Sequence, residues 1–87
     1  VFEVRDARLG PARVFATLDS GLPDGLRVDA RGHVWCSSED GVHVFHPDGT
    51  FLGKILVPET VANLCFGGPR GNRLFIAATT SVYAVYV

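Results

Sequence analysis

Two copies of one tripeptide raise the first chemical question in this chain. Pro23-Asp24-Gly25 and Pro47-Asp48-Gly49 are identical in letters, but their surroundings differ. The second copy lies between two apolar runs, in "HVFHPDGTFLG", where it joins two strands and Gly49 can take a positive φ. The first is followed directly by the alternation Leu26-Arg27-Val28, with no apolar run immediately before it. A carboxylate at such a strand entry can bond to nearby backbone N–H groups as a turn residue. It can also stand free as an oxygen ligand for a hard cation of the Ca²⁺ type. Gly25 suits a close backbone approach there, and Pro23 fixes the entry without needing a donor. Spacing alone leaves these two readings of Asp24 level.

Other constellations are weaker. His43 and His46 are three apart on a strand, which puts them on opposite faces rather than around one zinc. His33 follows a turn glycine and is expected to be exposed. Glu39-Asp40 reads as a solvated hairpin rather than a ligand pair. Ser37, Ser38 or Ser81 could enter a Ser-His-Asp triad on paper, but the chain has no Gly-x-Ser-x-Gly elbow. Cys36 and Cys65 lie in apolar strand-like runs without a C-x-x-C pattern, so both are expected to be free, buried thiols.

The elements that must position Asp24 are all β. Ten glycines and 5 prolines are scattered through 87 residues, and no window offers a helical apolar stripe. Short runs between turn signals predict strands at Val1–Arg5, Arg13–Leu18, Leu26–Val28, His33–Ser37, Val42–His46, Phe51–Val57, Ala62–Phe66, Leu74–Ala77 and Val82–Val87. The turns between them include Arg31-Gly32, Asp40-Gly41 and Gly71-Asn72.

An internal repeat selects the architecture. With Asp24 set over Asn63, Gly32 meets Gly71, and one extra residue puts Val34–Ser37 on Leu74–Ala77 and Val42–Phe45 on Val82–Val85. Four strands per ~40 residues is the period of a β-propeller blade; a β-sandwich, the alternative, predicts no such repeat. Residues 1–18 then supply the outer strands of one blade, 22–57 a complete blade, and 62–87 a last blade without its closing strand. The expectation is the C-terminal part of a propeller whose remaining blades belong to a longer chain, with a processed or cut N-terminus. Trp35, Phe45, Phe66 and Phe75 fall where neighbouring blades pack. Asp24 and Asn63 both precede innermost strands, so the repeat directs them to one end of a central channel.

Composition narrows the partners. At 47% hydrophobic, 20% charged and net charge −1, the chain has no Lys/Arg cluster to replace counterions on nucleic acid or to meet an acidic membrane surface. No apolar run approaches the ~20 residues of a membrane-spanning helix. Localisation stays open, with the cytoplasm favoured over periplasm or secretion.

The segments "GLPDGLRVDARGHVW", "GVHVFHPDGTFLGKILVP" and "NLCFGGPRGNRLFIAA", in this order, resemble the C-terminal third of the gluconolactonase/regucalcin (senescence marker protein) family. The middle segment alone also resembles propeller repeats of the NHL type. The family resemblance implies a six-bladed propeller with one divalent cation in its channel: Ca²⁺, or Zn²⁺, Mg²⁺ or Mn²⁺. It implies that Asp24 is a metal ligand and a general base in opening sugar lactones. The family's other ligands, a glutamate and an asparagine of earlier blades, have no counterpart here. Asn63 matches a channel-facing position outside the usual ligand set, and reads as a lining residue or one behind the ligands. The alternatives are a non-catalytic NHL-type binding scaffold and a metal-dependent organophosphate esterase on the same fold.

Overall fold

The structure, a computed structural model, describes residues 1–19 and 21–87, and no helix occurs among them. Among the described residues, nine strands form three separate sheets. β1 (Val4–Arg5) and β2 (Arg8–Leu9) make a small hairpin, closed by Asp6 and Ala7 at φ 50° and 61°. β3 (Leu26–Val28), β4 (Val34–Ser38), β5 (Gly41–Phe45) and β6 (Phe51–Leu56) form an antiparallel meander in chain order. β7 (Val61–Gly67), β8 (Arg73–Ala78) and β9 (Val82–Tyr86) repeat its first three strands.

The expected strand Arg13–Leu18 is not formed, and only Val4–Arg5 of the expected Val1–Arg5 is strand. A strand needs a neighbour for its backbone N–H and C=O groups, and none of the ladders includes residues 13–18. The segment is held by Arg13, whose N–H donates to the Val1 carbonyl at 3.0 Å and whose carbonyl accepts from the Val1 amino group at 2.7 Å, and by Phe15, which meets Phe45 edge-on with ring centroids 6.4 Å apart.

Turn chemistry sets the registers. Gly41, at φ 149°, opens β5 where a β-carbon would stand 1.9 Å from the carbonyl oxygen of Ile55. Only glycine lets β6 approach β5 so closely at that point. The ladders also test the repeat. Val34 pairs with Phe45 as Leu74 pairs with Val85, in agreement with the sequence alignment. On the inner strands, Leu26 faces Cys36 as Leu64 faces Ile76, so Asn63 is equivalent to Gly25 rather than to Asp24. A bulge between Val61 and Asn63 adds one residue at the entry of β7, and the added length the alignment requires falls in the turn between β7 and β8.

The core lies between the two larger sheets. Val42, Val57, Val61, Leu64, Leu74 and Ile76 are buried there, with Trp35, Ile55, Phe66, Tyr83 and Val85 packed around them. Each fully buried aliphatic side chain contributes roughly 1.5–3 kcal/mol relative to exposure. Trp35 meets Phe66 edge-to-face at 5.5 Å across the interface, a favoured geometry for aromatic pairs. This packing brings the entry of β3, the end of β4 and the start of β7 to one end of the two sheets. The Ser37 hydroxyl links all three, accepting from the Gly25 N–H at 2.6 Å and donating to the Ala62 carbonyl at 3.4 Å.

Candidate functional site

Asp24 stands at that end, exposed, just before β3. Its backbone N–H reaches the Ser37 carbonyl at 3.4 Å, and the Gly25 carbonyl accepts from the Ser37 N–H at 2.7 Å. The main chain is thereby tied to β4, while the Asp24 carboxylate makes no hydrogen bond or ion pair among the described residues. Asp48 differs. Its carboxylate accepts from the Thr50 N–H at 2.8 Å, and its own N–H reaches His46 Nδ1 at 3.1 Å. The Thr50 bond is the first cause holding the Asp48 carboxyl below the ordinary carboxylate range. Of the two identical tripeptides, Pro47-Asp48-Gly49 is thus a self-bonded turn and Pro23-Asp24-Gly25 leaves its acid free.

An open cleft of about 560 Å³ lies beside Asp24, bounded by Gly21, Leu22, Pro23, Glu39, Thr60 and Val61. Asn63 adjoins the tripeptide without lining this cleft: a β-carbon on Gly25 would stand 2.4 Å from Asn63 Oδ1. That oxygen accepts from the Leu64 N–H at 2.9 Å. Asn63 therefore packs against Gly25 at the same end of the sheets as Asp24, but one position away from the register the repeat alignment gave it.

A second charged group was not legible from spacing. His43 is buried, with Nε2 2.8 Å from Asp40 Oδ1 and Nδ1 4.0 Å from Asp19 Oδ1. Lys54 sits opposite His43 in the β5–β6 ladder and brings Nζ to 2.8 Å from Asp40 and 3.7 Å from Asp19. Hydrogen bonds from Lys54 first, then His43, hold the Asp40 carboxyl well below its usual range. Asp40 is therefore not the solvated hairpin residue expected of it. Asp19, Asp40 and His43 offer three ligand atoms within 4.8 Å of one another, a spacing that could hold a metal ion. The Lys54 ammonium already supplies positive charge to both carboxylates. Register alone does not reveal the group: counting back through the Pro47-Asp48-Gly49 turn sets His43 across from Gly53, and an irregularity between Val44 and Phe45 moves Lys54 opposite it.

At the opposite end, Asp29 accepts from Trp35 Nε1 at 3.0 Å, from the N–H groups of His33 and Arg31 at 2.9 Å each, and lies 3.2 Å from His33 Nδ1. Burial raises the Asp29 carboxyl pKa, but the Trp35 bond and then the backbone bonds outweigh it, bringing the value to about 2. His33 is consequently half-buried, not exposed as its place after Gly32 suggested. The cysteines also divide. Both are free, but only Cys36 is buried, whereas Cys65 is exposed on β7, contrary to expectation. Asn63 and Cys65 share the face of β7 opposite the one Leu64 turns into the core, so Cys65 faces away from the packed interface.

Comparison with known proteins decides the family. The model of the SMP-30/gluconolactonase/LRE-like region matches residues 1–80. The chain belongs to that family. A gluconolactonase from Zymomonas mobilis is 40% identical over 68 residues, covering 76% of this chain and 19% of that protein. A pentonolactonase from Haloferax volcanii is 44% identical over 59 residues, covering 64% of this chain and 20% of its own length. The solved structure of a gluconolactonase from Xanthomonas campestris matches 98% of this chain at 41% identity and TM-score 0.91, using 28% of that structure. The two larger sheets are thus blades of a β-propeller, and the chain spans between 19% and 28% of these relatives' lengths.

Proposed function

We propose that this chain forms part of a sugar-lactone hydrolase in which Asp24 is both a ligand for a divalent cation and the general base. The observation that carries the reading is the free Asp24 carboxylate, exposed beside an open cleft on a main chain fixed to β4. Support from relatives comes from those named gluconolactonase and pentonolactonase. A carboxylate without internal partners, on a strand entry that is itself rigid, fits the oxygen-donor chemistry of Ca²⁺, and Zn²⁺, Mg²⁺ or Mn²⁺ accept the same donor. When bound, such a cation supplies positive charge that polarises the lactone carbonyl. Asn63 lies behind this position rather than facing the cleft, its oxygen turned to Leu64 N–H.

In the proposed reaction, the oxygen of a water molecule bonds to the lactone carbonyl carbon while Asp24 accepts the water's proton. The ring C–O bond then breaks, and the proton passes from Asp24 to the departing ring oxygen. The product is the open-chain hydroxy acid. Residues 1–18 act as the outer part of a preceding blade, and 62–87 as a last blade completed by a strand from elsewhere in the protein. The test is calcium titration and hydrolysis of D-glucono-δ-lactone by the full-length protein and its Asp24→Asn variant. Loss of both calcium binding and turnover is expected. A variant that keeps wild-type calcium affinity and rate overturns the assignment.

A further inference from the structure

The nine acidic side chains divide sharply. Glu3 pairs with Arg5, Asp19 and Asp40 with Lys54, Asp29 with Trp35, Asp48 with Thr50, and Glu59 with Thr80 and Tyr83. Among the described residues only Asp6, Asp24 and Glu39 have no partner. Asp6 lies in the remote β1–β2 turn; the other two wall the same cleft.

Glu39 is also held in place. It occupies the β4–β5 hairpin next to Asp40, whose carboxylate is fixed by His43 and Lys54 and whose carbonyl accepts from the Val57 N–H at 3.1 Å. On its other side Gly21, at φ 68°, packs so closely that a β-carbon there would stand 2.5 Å from the Glu39 β-carbon. The hairpin and the Gly21–Pro23 segment thus form one wall, with an exposed carboxylate presented on it at no internal hydrogen-bonding cost. A carboxylate accepts hydrogen bonds only. A neutral ligand that satisfies it must bring O–H or N–H donors, and a sugar lactone brings several hydroxyls.

We propose that Glu39 is a specificity-determining residue that accepts hydrogen bonds from the hydroxyl groups of the lactone and so selects polyhydroxylated substrates. This rests on the lactonase reading of Asp24. A charge-assisted hydrogen bond that is lost leaves roughly a 10- to 100-fold deficit in transition-state binding.

The experiment compares kcat/KM of the full-length protein on D-glucono-δ-lactone and on δ-valerolactone, which has the same ring without hydroxyls. In Glu39→Gln, the ratio of the two constants should fall about 10-fold or more, mainly through KM for the sugar lactone, with calcium titration superimposing on that of the wild type. Glu39→Asp should recover part of the ratio. An unchanged ratio in Glu39→Gln, with Asp24→Asn inactive, overturns the role of Glu39 and leaves the Asp24 reading standing. Equal losses on both lactones accompanied by weaker calcium binding also overturn it, because Glu39 would then serve the cation. A wild type that hydrolyses neither lactone overturns both readings together.

Discussion

Asp24 and Asp48 occupy the same tripeptide, but only Asp48 spends its carboxylate on its own turn. The difference arises from the path of the chain beyond each copy. After Asp48 the chain must reverse within a hairpin, so Thr50 N–H turns back onto the carboxylate. After Asp24 the chain runs straight into β3, and its N–H groups are taken by β4.

This contrast predicts opposite outcomes for matched substitutions. Asp24→Ala in the full-length protein should abolish calcium binding and lower lactone turnover by roughly 10²–10⁴-fold, the range for loss of a general base. Asp48→Ala should leave calcium affinity and kcat at wild-type values and lower the melting temperature slightly, through loss of the Thr50 bond. Isothermal titration with calcium and a pH-stat lactonase assay on both variants check this. Equal, mild effects from the two would reduce Asp24 to a turn residue.

Asp29 predicts a pH dependence of stability. Its folded value of about 2 lies below the ~3.9 of an unfolded Asp. Its stabilisation is therefore complete above the unfolded value and lost as pH falls through the folded one, between about 4 and 2. The difference corresponds to on the order of 2 kcal/mol at neutral pH. Asp29→Asn should melt lower than wild type at pH 7, and the two curves should converge by pH 2. Parallel curves across that range would show that Asp29 carries no such linkage.

The fold was legible in the sequence because its signals are local. Alternation, turn glycines and a repeated strand triplet need only near neighbours, and β3 to β9 obey them. Arg13–Leu18 shows where this stops: its alternation resembles a strand, but strand formation depends on a partner that the ladders do not supply. Asp24 was legible as a candidate because a second copy of its tripeptide stood ready for comparison. The Asp19–Asp40–His43–Lys54 group was not, since it gathers three separate segments, and Glu39 was read with the hairpin instead of with the cleft. The exposure of Cys65 depends on which face of β7 meets the core. The bulge between Val61 and Asn63 lies at the entry of that strand and shifts its register by one.

The two cysteines should accordingly report on burial separately. In the 87-residue chain, an aromatic disulfide reagent should modify one thiol rapidly under native conditions and the second only in denaturant. Cys65→Ser should remove the fast phase, and Cys36→Ser the slow one. Burial also pushes the Cys36 thiol pKa up, which further lowers its reactive thiolate fraction. Two slow phases of equal rate would mean that Cys65 is as sheltered as Cys36.

The packing of Asn63 against Gly25 gives the sharpest structural test. A β-carbon at Gly25 would stand 2.4 Å from Asn63 Oδ1, 3.1 Å from its Cγ and 3.2 Å from its Cα. Rotating the amide away relieves only the nearest clash, and it breaks the bond from Leu64 N–H. Gly25→Ala should therefore destabilise the protein by roughly 1–3 kcal/mol, without the backbone strain that a positive φ would add. The same displacement moves the strand entry that carries Asp24, so calcium affinity should weaken in parallel. Asn63→Ala removes the obstructing oxygen but orphans Leu64 N–H, which costs stability by itself. Combined, the two changes should cost clearly less than their sum, because once the amide is gone the new methyl group has space. A double-mutant cycle by denaturant unfolding, with calcium titration of all four proteins, measures this coupling. Strict additivity in both readouts would mean that Gly25 and Asn63 do not meet, and the shared end of the two blades would have to be rebuilt without that contact.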